Sequence, residues 1–183
     1  MTTTPPDVLR LKLERAFDTM DANEDGYVEW SDYQKLIDRF ISVFQIGQTD
    51  PRAARIHAFY QMYWQELLRH AHPGRQKLSK DEYVEAIRLT SMDTSRLNVV
   101  EGSGHATFDC MDADGDNMVG KEAFGTFLRK VWKVAQPDAI EVFDRLDLDG
   151  DGRISRHEFL RAANEYFYSY DPKAPGSLLF GHL

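Results

Sequence analysis

Cysteine is almost missing from this chain of 183 residues: Cys110 stands alone, so no internal disulfide can form. Its expected role is that of a small buried hydrophobe. Long apolar runs are missing too, and no stretch approaches the roughly 20 residues of a membrane-spanning helix. The first residues, Met1-Thr2-Thr3-Thr4-Pro5-Pro6, hold no apolar signal region. Residue 2 is Thr rather than Gly, and no prenylation cysteine closes the chain, so lipid anchors are not expected. No basic stripe stands out, which argues against nucleic acid as a partner. No Ser-His-Asp or Cys-His arrangement is evident, so an enzyme is not expected. His70 and His72 are two residues apart, which is not one helix face, and two nitrogens fall short of a zinc shell. Surface positions are expected for both. These absences leave a cytoplasmic monomer with no membrane span as the expectation. No feature identifies a protein partner.

What is present begins with a hydrophobic content of 42% and an aromatic content of 12%, enough for a packed core. The most informative twelve residues are Asp147-Leu148-Asp149-Gly150-Asp151-Gly152-Arg153-Ile154-Ser155-Arg156-His157-Glu158. Carboxylates stand at positions 1, 3, 5 and 12, glycine at 6 and an aliphatic residue at 8. This resembles the EF-hand calcium loop at every diagnostic position. Ca²⁺ takes about six to eight oxygens. Asp147, Asp149 and Asp151 offer one each, Arg153 its backbone carbonyl, Ser155 a bridging water, and Glu158 both carboxylate oxygens. Gly152 permits the sharp turn because it has no Cβ to clash at positive φ. An acidic turn without metal is the poorer reading, since four close carboxylates repel unless a cation neutralises them.

The motif repeats, and its copies are unequal. In Asp21–Asp32 the first, third and fifth places are Asp21, Asn23 and Asp25, with Gly26 at the sixth and the Tyr27 carbonyl at the seventh. The last place is Asp32, one methylene shorter than Glu, so a bidentate reach is harder and Mg²⁺ is expected to compete with Ca²⁺. Glu29 can compensate, directly or through water. A third copy has Asp112, Asp114 and Asp116, then Asn117 and the Met118 carbonyl, but Ala123 stands where the bidentate acid belongs. The nearest acid, Glu122, comes one residue early, a rotation of about 100° on a helix. Weak Ca²⁺, Mg²⁺ or an empty loop are all compatible with that set. A fourth copy, Ala71–Glu82, has Ala71, Pro73 and Arg75 in the ligand places and binds no metal on this reading. Its Ser79-x-x-Glu82 serves as a capping box. It is retained for pairing, with Leu78 facing Val28, as Ile154 faces Val119.

Net charge is −8, and setting aside the ten acids at ligand positions leaves +2, so the acidity lives in the sites. The fold class expected is all-α: a compact array of four hands in two pairs, with short antiparallel contacts between paired loops. The divisions are 1–92, 93–168 and a tail, 169–183, with the two pairs packing as one unit. Helices are expected from Pro6 to Met20, then to Ile46 with a stop at Gly47. The next opens at Asp50-Pro51, and another carries Tyr83, Ile87 and Leu89. A break near Met92–Ser95 precedes a helix from Leu97 to Met111, burdened by Gly102 and Gly104, which each cost about 1 kcal/mol in a helix. The last three run from Lys121 to Val134, from Pro137 through Ile140, Val142, Phe143 and Leu146, and through Phe159, Leu160, Ala163 and Phe167. Their aromatic stripes are read as core rather than as a cofactor site.

The order of full, degenerate, incomplete and full loops, followed by Asp171-Pro172-Lys173-Ala174-Pro175-Gly176-Ser177-Leu178-Leu179-Phe180-Gly181, is similar to the sarcoplasmic calcium-binding protein family, especially its bacterial calerythrin-type members. The resemblance implies loops one, three and four binding Ca²⁺, and a buffer or transporter of calcium. Ala123 departs from that family's third loop. A calcium-dependent regulator of a protein partner is the alternative. A photoprotein-like ligand binder is the remote one. The methionines are scattered, which argues against the Met-rich groove of a sensor.

Overall fold

The computed structural model describes residues 7–93 and 98–182, and of Gln136 and Pro137 only the backbone. Met1–Pro6, the break at Thr94 and Ser95, and Leu97 lie outside the described residues. Among the described residues eight α-helices and four short strands follow in the order α1 (Val8–Met20), β1 (Tyr27–Glu29), α2 (Trp30–Val43), α3 (Pro51–His70), β2 (Lys77–Ser79), α4 (Lys80–Met92), α5 (Val99–Met111), β3 (Met118–Gly120), α6 (Lys121–Thr126), α7 (Gln136–Leu146), β4 (Arg153–Ser155) and α8 (Arg156–Tyr168). A short 3₁₀ turn, Pro175–Leu178, closes the tail.

The strands pair antiparallel, β1 with β2 and β3 with β4. Val28 faces Leu78 and Val119 faces Ile154, as the position-8 rule requires. All four side chains are buried. The degenerate second loop therefore supplies the partner strand that the first loop needs.

The helix starts follow local chemistry. Asp50 caps α3 by accepting from the Arg52 amide at 2.9 Å, with Pro51 in the first turn. Two stops differ from the expectation. The second helix ends at Val43 instead of Ile46, because Gln45 takes φ 52° and turns the chain left. The sixth loses its α geometry after Thr126. From Phe127 to Val131 the turn widens, and the Trp132 amide reaches back five residues to the Phe127 carbonyl. The wider turn sets the Trp132 ring 4.7 Å from that of Phe180. Ile140 and Leu89, expected in apolar faces, are instead exposed. His70 is half-buried rather than on the surface, with Asp93 3.6 Å away.

Both glycines in α5 have a packing reason. A Cβ at Gly102 would lie 2.8 Å from the Phe59 ring, and one at Gly104 would lie 2.5 Å from the Leu160 side chain. The missing side chains let α5 close on α3 and α8, which offsets their helix cost. One continuous core joins residues from all the hands, from Leu9 to Phe180. Phe40 of α2 packs 6.1 Å from Phe127 and 6.4 Å from Trp132 across the two halves. Cys110 is buried, and that burial pushes its thiol up to about 12, so it is inert. Among the described residues no helix is long and apolar enough to cross a membrane.

Candidate metal centres and central cavity

The three acidic loops share one backbone frame. In each, the first aspartate accepts from the amide of position 6: Asp21 from Gly26 at 2.9 Å, Asp112 from Asn117 at 3.1 Å, Asp147 from Gly152 at 3.0 Å. The position-5 aspartates accept from the next-but-one amide: Asp25 from Tyr27, Asp116 from Met118, Asp151 from Arg153, at 2.9, 2.9 and 2.8 Å. Gly26, Asn117 and Gly152 all have positive φ, so Asn117 takes the glycine place at φ 63°.

The frame gathers carboxylates. Oxygens of Asp112, Asp114 and Asp116 lie within 4.8 Å of one another, and so do those of Asp147, Asp149 and Asp151. Hard divalent cations prefer such oxygen sets. In loop one the middle place is Asn23, whose amide donates to Asp25 at 2.9 Å, so Asp21 and Asp25 form a smaller acidic group.

Position 12 of the loop is also the third residue of the exit helix. Loop closure and helix capping are thereby one event. Glu158 accepts at 2.8 Å from both the amide and the hydroxyl of Ser155, and at 2.9 Å from the Leu148 amide. Burial pushes its carboxyl up, but these donors outweigh that and hold it below the usual range. Asp32 accepts from the Glu29 amide at 3.0 Å and from Lys35 at 3.1 Å. In the degenerate loop Glu82 caps Ser79 and takes the Arg75 guanidinium at 3.0 Å, a cation from position 5 of the loop itself. Ala123 breaks the scheme, and α6 starts from Gly120 with no side-chain cap.

Arginines from the fourth hand reach the third loop. Arg153 Nη2 lies 2.8 Å from Asp116 Oδ2 and donates to the Met118 carbonyl at 3.4 Å. Arg156 donates to Asn117 Oδ1 at 2.7 Å and lies 2.8 Å from Asp109 and 3.5 Å from Asp112. Partial desolvation raises the Asp116 carboxyl, while the Met118 amide and Arg153 outweigh it and hold it low. Nothing local in the residues marks these contacts, because they join positions more than thirty apart.

A cavity of about 70 Å³ opens in the middle of the core, lined among others by Tyr33, Tyr60, Tyr63, Tyr83, Trp132 and Phe180. Each pair of hands contributes, and the tail supplies Phe180. The hydroxyls of Tyr33 and Tyr83 are 3.2 Å apart. Burial pushes Tyr83 up to about 12 and Tyr33 and Tyr63 well above their usual range, so all remain neutral donors. The indole N–H of Trp132 is buried with no protein partner among the described residues. Phe180 is held at its carbonyl by Arg15, 3.2 Å away.

Comparison with known proteins fits this geometry. An EF-hand family model matches residues 13–37, 105–128 and 140–162, passing over the degenerate loop. The luciferin-binding protein of Renilla reniformis is 25% identical over 179 residues, covering 94% of this chain and 92% of that protein. Calerythrin of Saccharopolyspora erythraea is 21% identical over 164 residues, covering 86% and 90%. The calcium-loaded apo form of the coelenterazine-binding protein of Renilla muelleri superposes with a TM-score of 0.69 at 23% identity, covering 99% and 100%. The three acidic loops thus match EF-hand calcium-binding repeats, and the chain is similar over most of its length both to calerythrin and to the luciferin-binding protein of Renilla.

Proposed function

We propose that this chain is a calcium-responsive binder of a planar aromatic ligand, held in the central cavity. The observation that carries the reading is the cavity itself, a mostly apolar space lined by neutral tyrosines and by Trp132, whose indole N–H is buried without a protein partner among the described residues. Similarity over nearly the whole chain to a protein named for luciferin binding supports it. The cavity is small, so a ligand of several rings requires Phe180 and the tail to move. On this reading the chain binds and releases and catalyses nothing.

The cation sites follow the loops. Asp147, Asp149, Asp151, the Arg153 carbonyl and Glu158 hold Ca²⁺. Asp21, Asn23, Asp25, the Tyr27 carbonyl and Asp32 hold Ca²⁺ with Mg²⁺ in competition. Asp112, Asp114, Asp116 and the Met118 carbonyl make a weaker third site. Each loop ends on a helix whose side chains line the cavity or pack beside it, which is the route by which an ion alters the ligand.

Coelenterazine is the probe for the test. The purified chain is dialysed against it with Ca²⁺ and with a chelator. Retention at micromolar concentration, differing about tenfold or more between the two states, is expected. Ala163→Phe, which fills the cavity, should abolish retention while calcium stoichiometry stays the same. Retention in neither state overturns the ligand reading. Calcium buffering without a ligand is then the second reading, favoured by the burial of Leu178, Leu179 and Phe180 and by the likeness to calerythrin.

A further inference from the structure

We propose that Arg153 sets the cation affinity of loop three by lending its guanidinium to the atoms a divalent ion would use there. The inference rests on the reading that loop three takes such an ion. It does not depend on the cavity.

The donor set of loop three fits a cation in part. Three carboxylate oxygens converge within 4.8 Å, and the Met118 carbonyl stands at position 7. The two oxygens of a position-12 acid are missing, since Ala123 stands there. Two of the remaining ligand groups are engaged by one side chain. Arg153 meets Asp116 at 2.8 Å and the Met118 carbonyl at 3.4 Å. A guanidinium is planar, permanently charged and rich in donors, so it satisfies a carboxylate and a carbonyl together. An incoming ion must displace it or sit beside a like charge.

The other loops make the comparison. In the degenerate loop, Arg75 lies against Glu82 at 3.0 Å, so there too a guanidinium serves an acid that a metal otherwise binds. In loop four, no lysine or arginine pairs with Asp147, Asp149, Asp151 or Glu158 among the described residues. Loop four keeps four uncompensated acids, whereas loop three has three acids and Arg153 against one of them. Arg156 adds a second positive charge 3.5 Å from Asp112.

The position of Arg153 gives it a second consequence. Its backbone carbonyl is position 7 of loop four, and β4 pairs it with Gly120 of β3. An ion in loop four holds that backbone still, and with it the start of the side chain that blocks loop three. The two sites are thereby coupled with opposing sign through one residue.

The test is a Ca²⁺ titration of the full chain followed by NMR at two amides. Asn117 reports loop three, because its N–H donates to Asp112. Gly152 reports loop four in the same way through Asp147. Native, Arg153→Gln and Arg153→Lys chains are compared. The ion pair is about 40% exposed on both sides, so its effect is moderate. R153Q is expected to tighten loop three about threefold to tenfold, with the Gly152 midpoint changed by less than about twofold. R153K keeps the charge without the fork and falls between. An unmoved Asn117 midpoint in R153Q, or equal shifts at both amides, overturns the proposal while leaving loop four a calcium site. An Asn117 amide that fails to titrate in either chain up to about 10 mM overturns the cation reading of loop three and the proposal with it.

Discussion

Ser155 and Glu158 hold each other across the first turn of α8: the Ser155 amide and hydroxyl both donate to the Glu158 carboxylate at 2.8 Å, and the Glu158 amide donates back to the Ser155 hydroxyl at 3.2 Å. The pair is a capping box. It is also positions 9 and 12 of the calcium loop. A single carboxylate thus starts a helix and offers itself to an ion. Glu158→Gln keeps the shape and removes the charge. The tightest calorimetric step for Ca²⁺ should weaken by about 3 kcal/mol, on the order of 100-fold. An unchanged first step would show that the tightest site lies elsewhere.

Loop three lacks this device. Ala123→Glu restores the position-12 acid on a frame already set by Asp112, Asp114 and Asp116. One more strong Ca²⁺ equivalent is expected by calorimetry. The extra carboxylate adds repulsion, so the variant should melt lower than the native chain without Ca²⁺ and higher with it. A native chain that already fills loop three as tightly as the variant would contradict this account.

In loop one the box is built from Glu29 and Asp32, with the Asp32 carboxylate shared between the Glu29 amide and Lys35. The short side chain leaves little reach for a second metal contact. Asp32→Glu should raise Ca²⁺ affinity several-fold and weaken Mg²⁺ competition, because Ca²⁺ accepts the added oxygen and octahedral Mg²⁺ does not. Equal Mg²⁺ competition in both chains would refute the role given to Asp32.

Much of this was legible in the residues. The position-8 side chains Val28, Leu78, Val119 and Ile154 set both strand registers, because loop length and side-chain parity leave one pairing. The acids announced the loops. What stayed hidden depends on distant partners. Nothing local marks Gln45 for positive φ or Phe127 for a wide turn. Gly102 and Gly104 read as defects until Phe59 and Leu160 fill the space above them. The aromatic stripes read as core, and most of them are core. Tyr33, Tyr60, Tyr63 and Tyr83 come together around one cavity only after α2, α3 and α4 meet. The residues alone therefore do not single out ligand binding.

Glycines at close contacts differ in what lies opposite. A Cβ on Gly176 would sit 2.2 Å from the Ala162 carbonyl oxygen, which is backbone of α8 and cannot yield. A Cβ on Gly104 would meet the tip of Leu160, which can rotate. Gly104→Ala also gains about 1 kcal/mol of helix propensity. That variant should stay within about 1 kcal/mol of native stability in urea unfolding. Gly176→Ala should lose about 2 kcal/mol or more and release the tail, seen as a change in tryptophan emission as Phe180 leaves Trp132. Similar losses in both variants would mean that the tail is not clamped at Gly176.

Lys12 ties the tail to the body. It is fully buried, and its ammonium donates to the Glu165 and Ser169 carbonyls at 2.7 and 2.6 Å, with the Ser177 hydroxyl at 3.4 Å. Those carbonyls close α8, where the helix dipole favours a cation. Burial lowers the amine to about 8, with Glu165 and Asp171 opposing. Below that pH the group is charged in both folded and unfolded chains. Between about 8 and the ordinary value of 10.5 the unfolded chain holds a proton that the folded chain has released. Stability from this group therefore rises with pH across that window. Lys12→Met leaves the carbonyls without their donor and should cost about 1–3 kcal/mol at neutral pH. It also removes the titration. The gap in unfolding free energy between native and variant should widen from pH 8 to pH 10, since other titrations are common to both. A gap that stays constant over that range would mean that Lys12 keeps an ordinary lysine pKa despite its burial.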